Sequence, residues 1–212
     1  MWRTGTGVLV AAMLVLGGFG PGAARHAPTV GAPAVGAVPS LAGQLLVATP
    51  ELDDPNFSRT VVYMVQHDEG GALGVVINRV HLVGPLGRLL ESLGIEEGSD
   101  SEAEIRVHEG GPVEPGRGVV LHSPDYRDDD PMVVDELAAF SFSLDALRDI
   151  AQGHGPRHSL FALGYAGWAP DQLEGEIARG SWFTIEPDEA LLFDDAVETK
   201  WQRALARRGV DL

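Results

Sequence analysis

The stretch from Thr60 to Asn78 constrains the fold more than any other. Thr60–His67 (TVVYMVQH) is an eight-residue run of β-branched, aromatic and apolar side chains with little alternation. Such a run is the mark of a strand buried on much of both faces. Asp68-Glu69-Gly70-Gly71 then supplies turn chemistry, and Ala72–Asn78 (ALGVVIN) returns as a second strand. The two make a hairpin with a four-residue loop whose glycines are free to take positive φ.

From Leu41 onward the chain mixes strand and helix signals without regular alternation. Gln44–Ala48, Ile105–His108, Gly118–His122, Met132–Asp135, Ser159–Leu163 and Trp182–Glu186 read as strands. Leu86, Leu89, Leu90 and Leu93 fall at i, i+3, i+4 and i+7, which predicts a helix ending near Gly94. Ser143–Ala151 predicts a second helix capped by its serine, and Pro170 suits the first turn of a third, with Leu173 and Ile177 as its buried pair. A last helix, capped by Asp194 or Asp195, carries Val197, Trp201 and Leu205 as its apolar stripe and ends at Gly209. Without a βαβ rhythm the pattern is α+β, not a doubly wound sheet.

Charge divides the 212 residues in two. Residues 1–40 hold Arg3 and Arg25 and no acid, so the 13 remaining basic residues face all 31 acidic ones and residues 41–212 carry −18. An uncharged apolar run, Val8–Leu16, precedes Gly22 and Ala24. That layout predicts a signal peptide, or a membrane anchor built on residues 8–16. The competing expectation is a translated upstream extension, with the true start near Val35 or Val38. Residues 27–40, rich in Ala, Pro, Gly and Val, read as a linker. A domain at −18, with no helix-turn-helix pattern and no basic stripe, is a poor direct ligand for nucleic acid.

Several chemistries are excluded by residue type. Cysteine is absent, so thiol catalysis and Cys-ligated metals are ruled out, and the sole lysine, Lys200, lies in no phosphate-binding loop. Neither G-x-S-x-G nor H-E-x-x-H occurs. A metal site assembled from scattered residues such as His67, Asp68, His108 and His122 is a conceivable but minor expectation. The acidic runs Asp53-Asp54, Asp128-Asp129-Asp130 and Asp194-Asp195 lack calcium-loop spacing and read as turn or capping groups. The reading assigns no cofactor.

A series of segments resembles the bacterial YqgE/AlgH family. They are Leu45–Pro50, Asp54-Pro55-Asn56-Phe57, Gly71–Arg79, Gly110-Gly111-Pro112-Val113, Gly118–Ser123, Ala162–Trp168 and Ser181-Trp182, followed by the Trp201 helix through Gly209-Val210-Asp211. The likeness spans residues 41–212. Val80 stands where the family usually has proline, and residues 1–40 have no counterpart. The resemblance implies one α+β domain with a mixed, bifurcated sheet curled towards a pseudo-barrel and helices outside. It also implies a cytoplasmic protein. It implies no reaction, and the family name carries a suggestion of transcriptional regulation in alginate production.

Three functions follow as expectations. The first is a non-enzymatic regulatory or small-ligand-binding domain, with a pocket at Asn78, Gly110, Gly111, His122, Tyr165 and Trp168, where glycines let backbone approach a ligand and the helix after Pro170 offers free N–H groups. The second is a hydrolase using His122 with a carboxylate or with Ser123. The third is a protein-interaction module whose acidic loops, Glu96–Glu104 and Tyr126–Asp130, dock a basic partner. The partner, whether small molecule or protein, and the oligomeric state are not fixed by sequence.

Overall fold

The computed structural model describes residues 39–127 and 131–209. The leader expectations for residues 1–38, the Asp128–Asp130 triplet and the last three residues lie outside the described residues. Among those described, no helix is long and apolar enough to cross a membrane.

Among the described residues ten strands form one mixed sheet. They are β1 (Leu45–Ala48), β2 (Val61–Asp68), β3 (Gly71–Val76), β4 (Val80–Pro85), β5 (Glu104–Glu109), β6 (Val113–His122), β7 (Met132–Val133), β8 (Ala139–Ser141), β9 (Ser159–Trp168) and β10 (Trp182–Ile185). The main path runs β10-β1-β2-β3-β9-β6-β8-β7, and β5 joins β9 from the side with β4 beyond it. All pairs are antiparallel except β5 with β9. The sheet is bifurcated, as expected, and stays open without closing into a barrel. The described residues also form five helices: α1 (Leu86–Ser92), α2 (Asp145–Ala151), α3 (Gln172–Ala178), α4 (Glu189–Phe193) and α5 (Val197–Ala206).

The fork is at β9. Phe161–Leu163 pairs with β5 on one side and with β6 on the other, whereas Ala166–Trp168 pairs with β3. Three glycines allow the divergence. A Cβ on Gly110 would lie 2.2 Å from the Gly164 carbonyl oxygen, and one on Gly111 would lie 2.3 Å from that of Tyr165. Gly164, at φ +73°, takes the left-handed conformation that lets the two backbones meet. Gly110 ties the arms together: its N–H donates to Leu163 of β9, and its carbonyl accepts from Val76 of β3.

Strand alternation explains the near-continuous apolar runs. Leu45 and Val47 face a cluster with Tyr63, Ile77, Leu121 and Phe140, while Leu46 faces the opposite cluster with Met64, Trp168 and Trp182. The centre of the sheet is thus covered on both sides, as Thr60–His67 predicts. Each fully buried Leu, Val or Ile contributes about 1.5–3 kcal/mol. A third cluster, with Leu86, Leu90, Leu147 and Phe161, seats α1 and α2 on the β5–β9–β6 region.

The hairpin is tighter than expected. Asp68 pairs with Gly71, leaving Glu69-Gly70 as a two-residue loop, because the Asp68 carboxylate accepts the Gly70 N–H at 2.7 Å and draws the strand ends in. α3 begins at Gln172, two residues after Pro170, behind Asp171 at φ +62°. α5 follows Ala196, and Asp194 serves it by accepting the Ala196 N–H at 3.3 Å. Its fully buried face is Val197, Lys200 and Ala204, rotated from the expected stripe, with Trp201 and Leu205 only partly buried.

Candidate functional site

At the fork, where β3 and β5 part from one another beside β9, lies a cleft of about 310 Å³. Its apolar wall comes from Val76, Leu163, Pro112 and Pro115, and its polar rim from Asn56, Arg79, His81 and Glu109. Sheet geometry sets the rim. Alternation turns Glu109 away from buried His108, and the Glu109 N–H donates to the Arg79 carbonyl at 2.9 Å, fixing β5 against the turn after β3.

The Arg79 guanidinium donates to the carbonyls of Pro55 (3.3 Å) and Ser58 (3.0 Å), which holds the loop before β2 in place. A guanidinium has five N–H donors, so capacity for a ligand acceptor remains. His81 Nδ1 and Glu109 Oε1 are 3.1 Å apart, and both side chains are slightly more than half exposed. The cleft therefore combines an apolar floor with a cation, an imidazole and a carboxylate at its mouth. That combination suits binding of a small molecule with an acceptor group.

The six residues expected to form a pocket are dispersed, and only Gly111 lines this cleft. Asn78 serves the backbone: its Oδ1 accepts from Val61 N–H at 2.7 Å and its Nδ2 donates to the Arg59 carbonyl at 2.9 Å. Gly110 and Gly111 make the close approach at the fork. Tyr165 donates its hydroxyl to Glu114 at 3.1 Å. Burial, then the Glu114 carboxylate, pushes the Tyr165 phenol up. Trp168, 6% exposed, stacks on Phe57, meets Trp182 edge-on and donates its indole N–H to Glu176 at 3.1 Å. The Trp182 indole donates to the same Glu176 oxygen at 2.8 Å.

His122 lies at the far end of β6, paired with Ser159, and is fully buried. Its Nδ1 is 3.0 Å from the Ser123 carbonyl, and its Nε2 has no partner. The Ser123 hydroxyl meets the His158 backbone, donating to its carbonyl (3.3 Å) and accepting from its N–H (3.0 Å). Among the described residues no carboxylate is hydrogen-bonded to His122, and Ser123 is held by the His158 backbone, so these residues do not form the arrangement expected of a hydrolase. Of the other histidines considered for metal binding, His67 accepts the Leu41 N–H on Nδ1 and donates from Nε2 to Glu174 at 2.8 Å, and His108 is buried on β5. Among the described residues no group of three or more His, Asp or Glu is arranged to hold a metal ion. The helix after Pro170 has Glu174 in its first turn, which opposes an anion at that end.

Sequence reasoning missed Arg79, His81 and Glu109. Arg79 ends the family-like segment Gly71–Arg79, and Glu109 directly precedes Gly110-Gly111. His81 carries no local signal.

Comparison with known proteins adds the following. The AlgH-like family DUF179 matches residues 45–212. A UPF0301 protein of Methylococcus capsulatus is 42% identical over 170 residues, covering 80% of this chain and 92% of that one. A UPF0301 protein of Xanthomonas campestris is 45% identical over 172 residues, covering 81% and 91%. The solution structure of the AlgH protein from Pseudomonas aeruginosa superposes with a TM-score of 0.67 at 40% identity, covering 82% of this chain and 92% of that one. The crystal structure of protein DIP2367 from Corynebacterium diphtheriae, at 21% identity and a TM-score of 0.63, shares the fold; it covers 81% of this chain and 88% of that one.

Proposed function

This chain belongs to the AlgH-like family, and from that premise we propose that its domain is a non-enzymatic, small-ligand-binding regulator working through the cleft at the fork of the sheet. One observation carries the reading. Of the nine residues lining the cleft, six (Asn56, Val76, Arg79, Gly111, Pro112 and Leu163) belong to segments that carry the family resemblance, so separate motifs converge on one hollow. The ligand has an apolar body against Val76 and Leu163 and an acceptor group facing Arg79. Regulation of transcription, where it occurs, runs through this ligand or a protein partner, since a domain at −18 repels nucleic acid. The protein works in the cytoplasm, as the family resemblance implies; a mature terminus immediately after Ala24, found by mass spectrometry, would sink that part.

The test is a metabolite screen by thermal shift, followed by amide chemical-shift mapping of each stabilising compound. The reading expects shifts clustered at Arg79, His81, Glu109 and Gly111, and a weakened response in His81→Ala and Glu109→Gln. Stabilisers that map elsewhere, or a response unchanged in both variants, overturn it.

A further inference from the structure

In so acidic a domain most arginines near a carboxylate are taken up by it. Arg106, Arg117, Arg148, Arg157, Arg203 and Arg207 each form an ion pair with Asp or Glu. Arg79, on the rim of the fork cleft, is in no ion pair among the described residues; its partners are the neutral carbonyls of Pro55 and Ser58. Each carbonyl takes one hydrogen from a terminal nitrogen. The Nε hydrogen and one on each terminal nitrogen remain, and the positive charge is not offset by a carboxylate. Because the two carbonyls already hold the guanidinium, it loses little further freedom on taking a ligand.

The surroundings narrow what that ligand is. Asn56 lines the cleft beside Arg79, and its side-chain amide has no partner among the described residues. Val76, Leu163, Pro112 and Pro115 supply the apolar surface, against which a charge is weakly screened. A fixed cation and a free amide beside apolar wall select an anion with an apolar body. No other arginine or lysine lines the cleft, and Glu109 is occupied with His81 Nδ1 at 3.1 Å, holding that ring at the rim. A second negative charge on the ligand would therefore meet the field of residues 41–212, at −18, with no second cation to offset it.

We propose that the fork cleft takes a monocarboxylate with an apolar tail, its carboxylate on the Arg79 guanidinium and the Asn56 amide and its tail on Val76 and Leu163. This rests on the cleft being the ligand site, and fixes the head group, charge and length of what binds there. A volume of about 310 Å³ holds about ten non-hydrogen atoms at ~30 Å³ each, the size of an eight-carbon acid.

The experiment titrates the 15N-labelled full chain with octanoate, below its micelle-forming range, and in parallel arms with acetate, 1-octanol and octylamine. Octanoate is expected to move the amide resonances of Arg79 and Gly111, with 1-octanol and octylamine about tenfold weaker or more and acetate about a hundredfold weaker or more. Arg79→Gln is expected to erase the preference for octanoate over 1-octanol, while Arg79→Lys keeps it. Asn56→Ala, at an exposed position that folding tolerates, is expected to weaken octanoate about threefold and leave 1-octanol unchanged. Octanol or octylamine binding in the cleft as tightly as octanoate overturns the monocarboxylate and leaves the cleft a ligand site. Octanoate shifts that cluster away from Arg79 and Gly111, or no shifts at all, overturn the monocarboxylate as well, and the metabolite screen then decides whether the cleft binds anything.

Discussion

The two arms that leave β9 treat their polar side chains differently. On the β10-β1-β2-β3 arm the motif-bearing polar groups are engaged within the protein, although the buried Tyr63 hydroxyl of β2 has no hydrogen-bond partner. Asn78 bridges two backbone groups, His67 links Leu41 to Glu174, and the two indoles share Glu176. On the β4-β5 arm the polar groups are left open: His81 and Glu109 are half exposed with only each other, and His108 Nδ1 has no partner. A motif residue is therefore a poor guide to function until its hydrogen bonds are counted. Residues that satisfy the backbone hold the first arm in shape, and residues with remaining donors and acceptors mark where the second arm can take a ligand.

The strongest way to break this comparison is at the joint between the arms. Gly111→Ala places a Cβ 2.3 Å from the Tyr165 carbonyl at φ +149°, so a loss of more than ~4 kcal/mol is expected, read as failure to show a cooperative urea transition. A mild effect there would mean that the arms can separate without cost.

Lys200 comes next. Its ammonium is fully buried beneath the first arm and donates to the carbonyls of Leu191 and Leu192, each at 2.9 Å, closing the last turn of α4. Lys200→Met is expected to cost about 3 kcal/mol at neutral pH in denaturant titrations. Burial, opposed in part by Asp194, lowers its pKa from 10.5 to about 8. Below about 8 both folded and unfolded chains hold the proton. Between about 8 and 10.5 the unfolded chain holds more, so this group makes stability rise with pH across that window. With no other lysine in the chain, wild type minus Lys200→Met isolates that rise, and equal slopes for the two proteins would contradict the assignment.

Asn78→Ala leaves the Val61 N–H without its acceptor and should cost about 2 kcal/mol while leaving ligand responses intact. A changed ligand response with stability preserved would move Asn78 to the functional side. The smallest effects belong to the open arm: His81→Ala and Glu109→Gln should each stay within ~0.5 kcal/mol of wild type by thermal unfolding. A larger loss from either would show that their pairing is structural.

Long periodic or β-branched runs made the sheet centre and α1 legible in the sequence. β8, with three residues, and α4, with five, are too short for any period to register. The α5 stripe was misplaced for a different reason. Lysine reads as solvent-facing, and the α4 carbonyls eight and nine residues earlier, with Asp194 at 3.5 Å, make its burial tolerable. Site legibility failed at the same level. Glycine pairs signal close approach, but nothing local distinguishes approach to a ligand from approach to another strand, and at Gly110 and Gly111 the neighbour is β9.

The triple pairing of β9 also sets a timetable. During synthesis, β3 and β5 leave the ribosome long before residues 159–168 emerge to cover their edges, and the pairing of β3 with β9 spans more than ninety residues of chain. Neither arm can close until about four-fifths of the polypeptide has been made. Such non-local closure slows folding and leaves apolar edges open to self-association in the interval. The nascent chain, more than the finished domain, is where this architecture calls for chaperone attention.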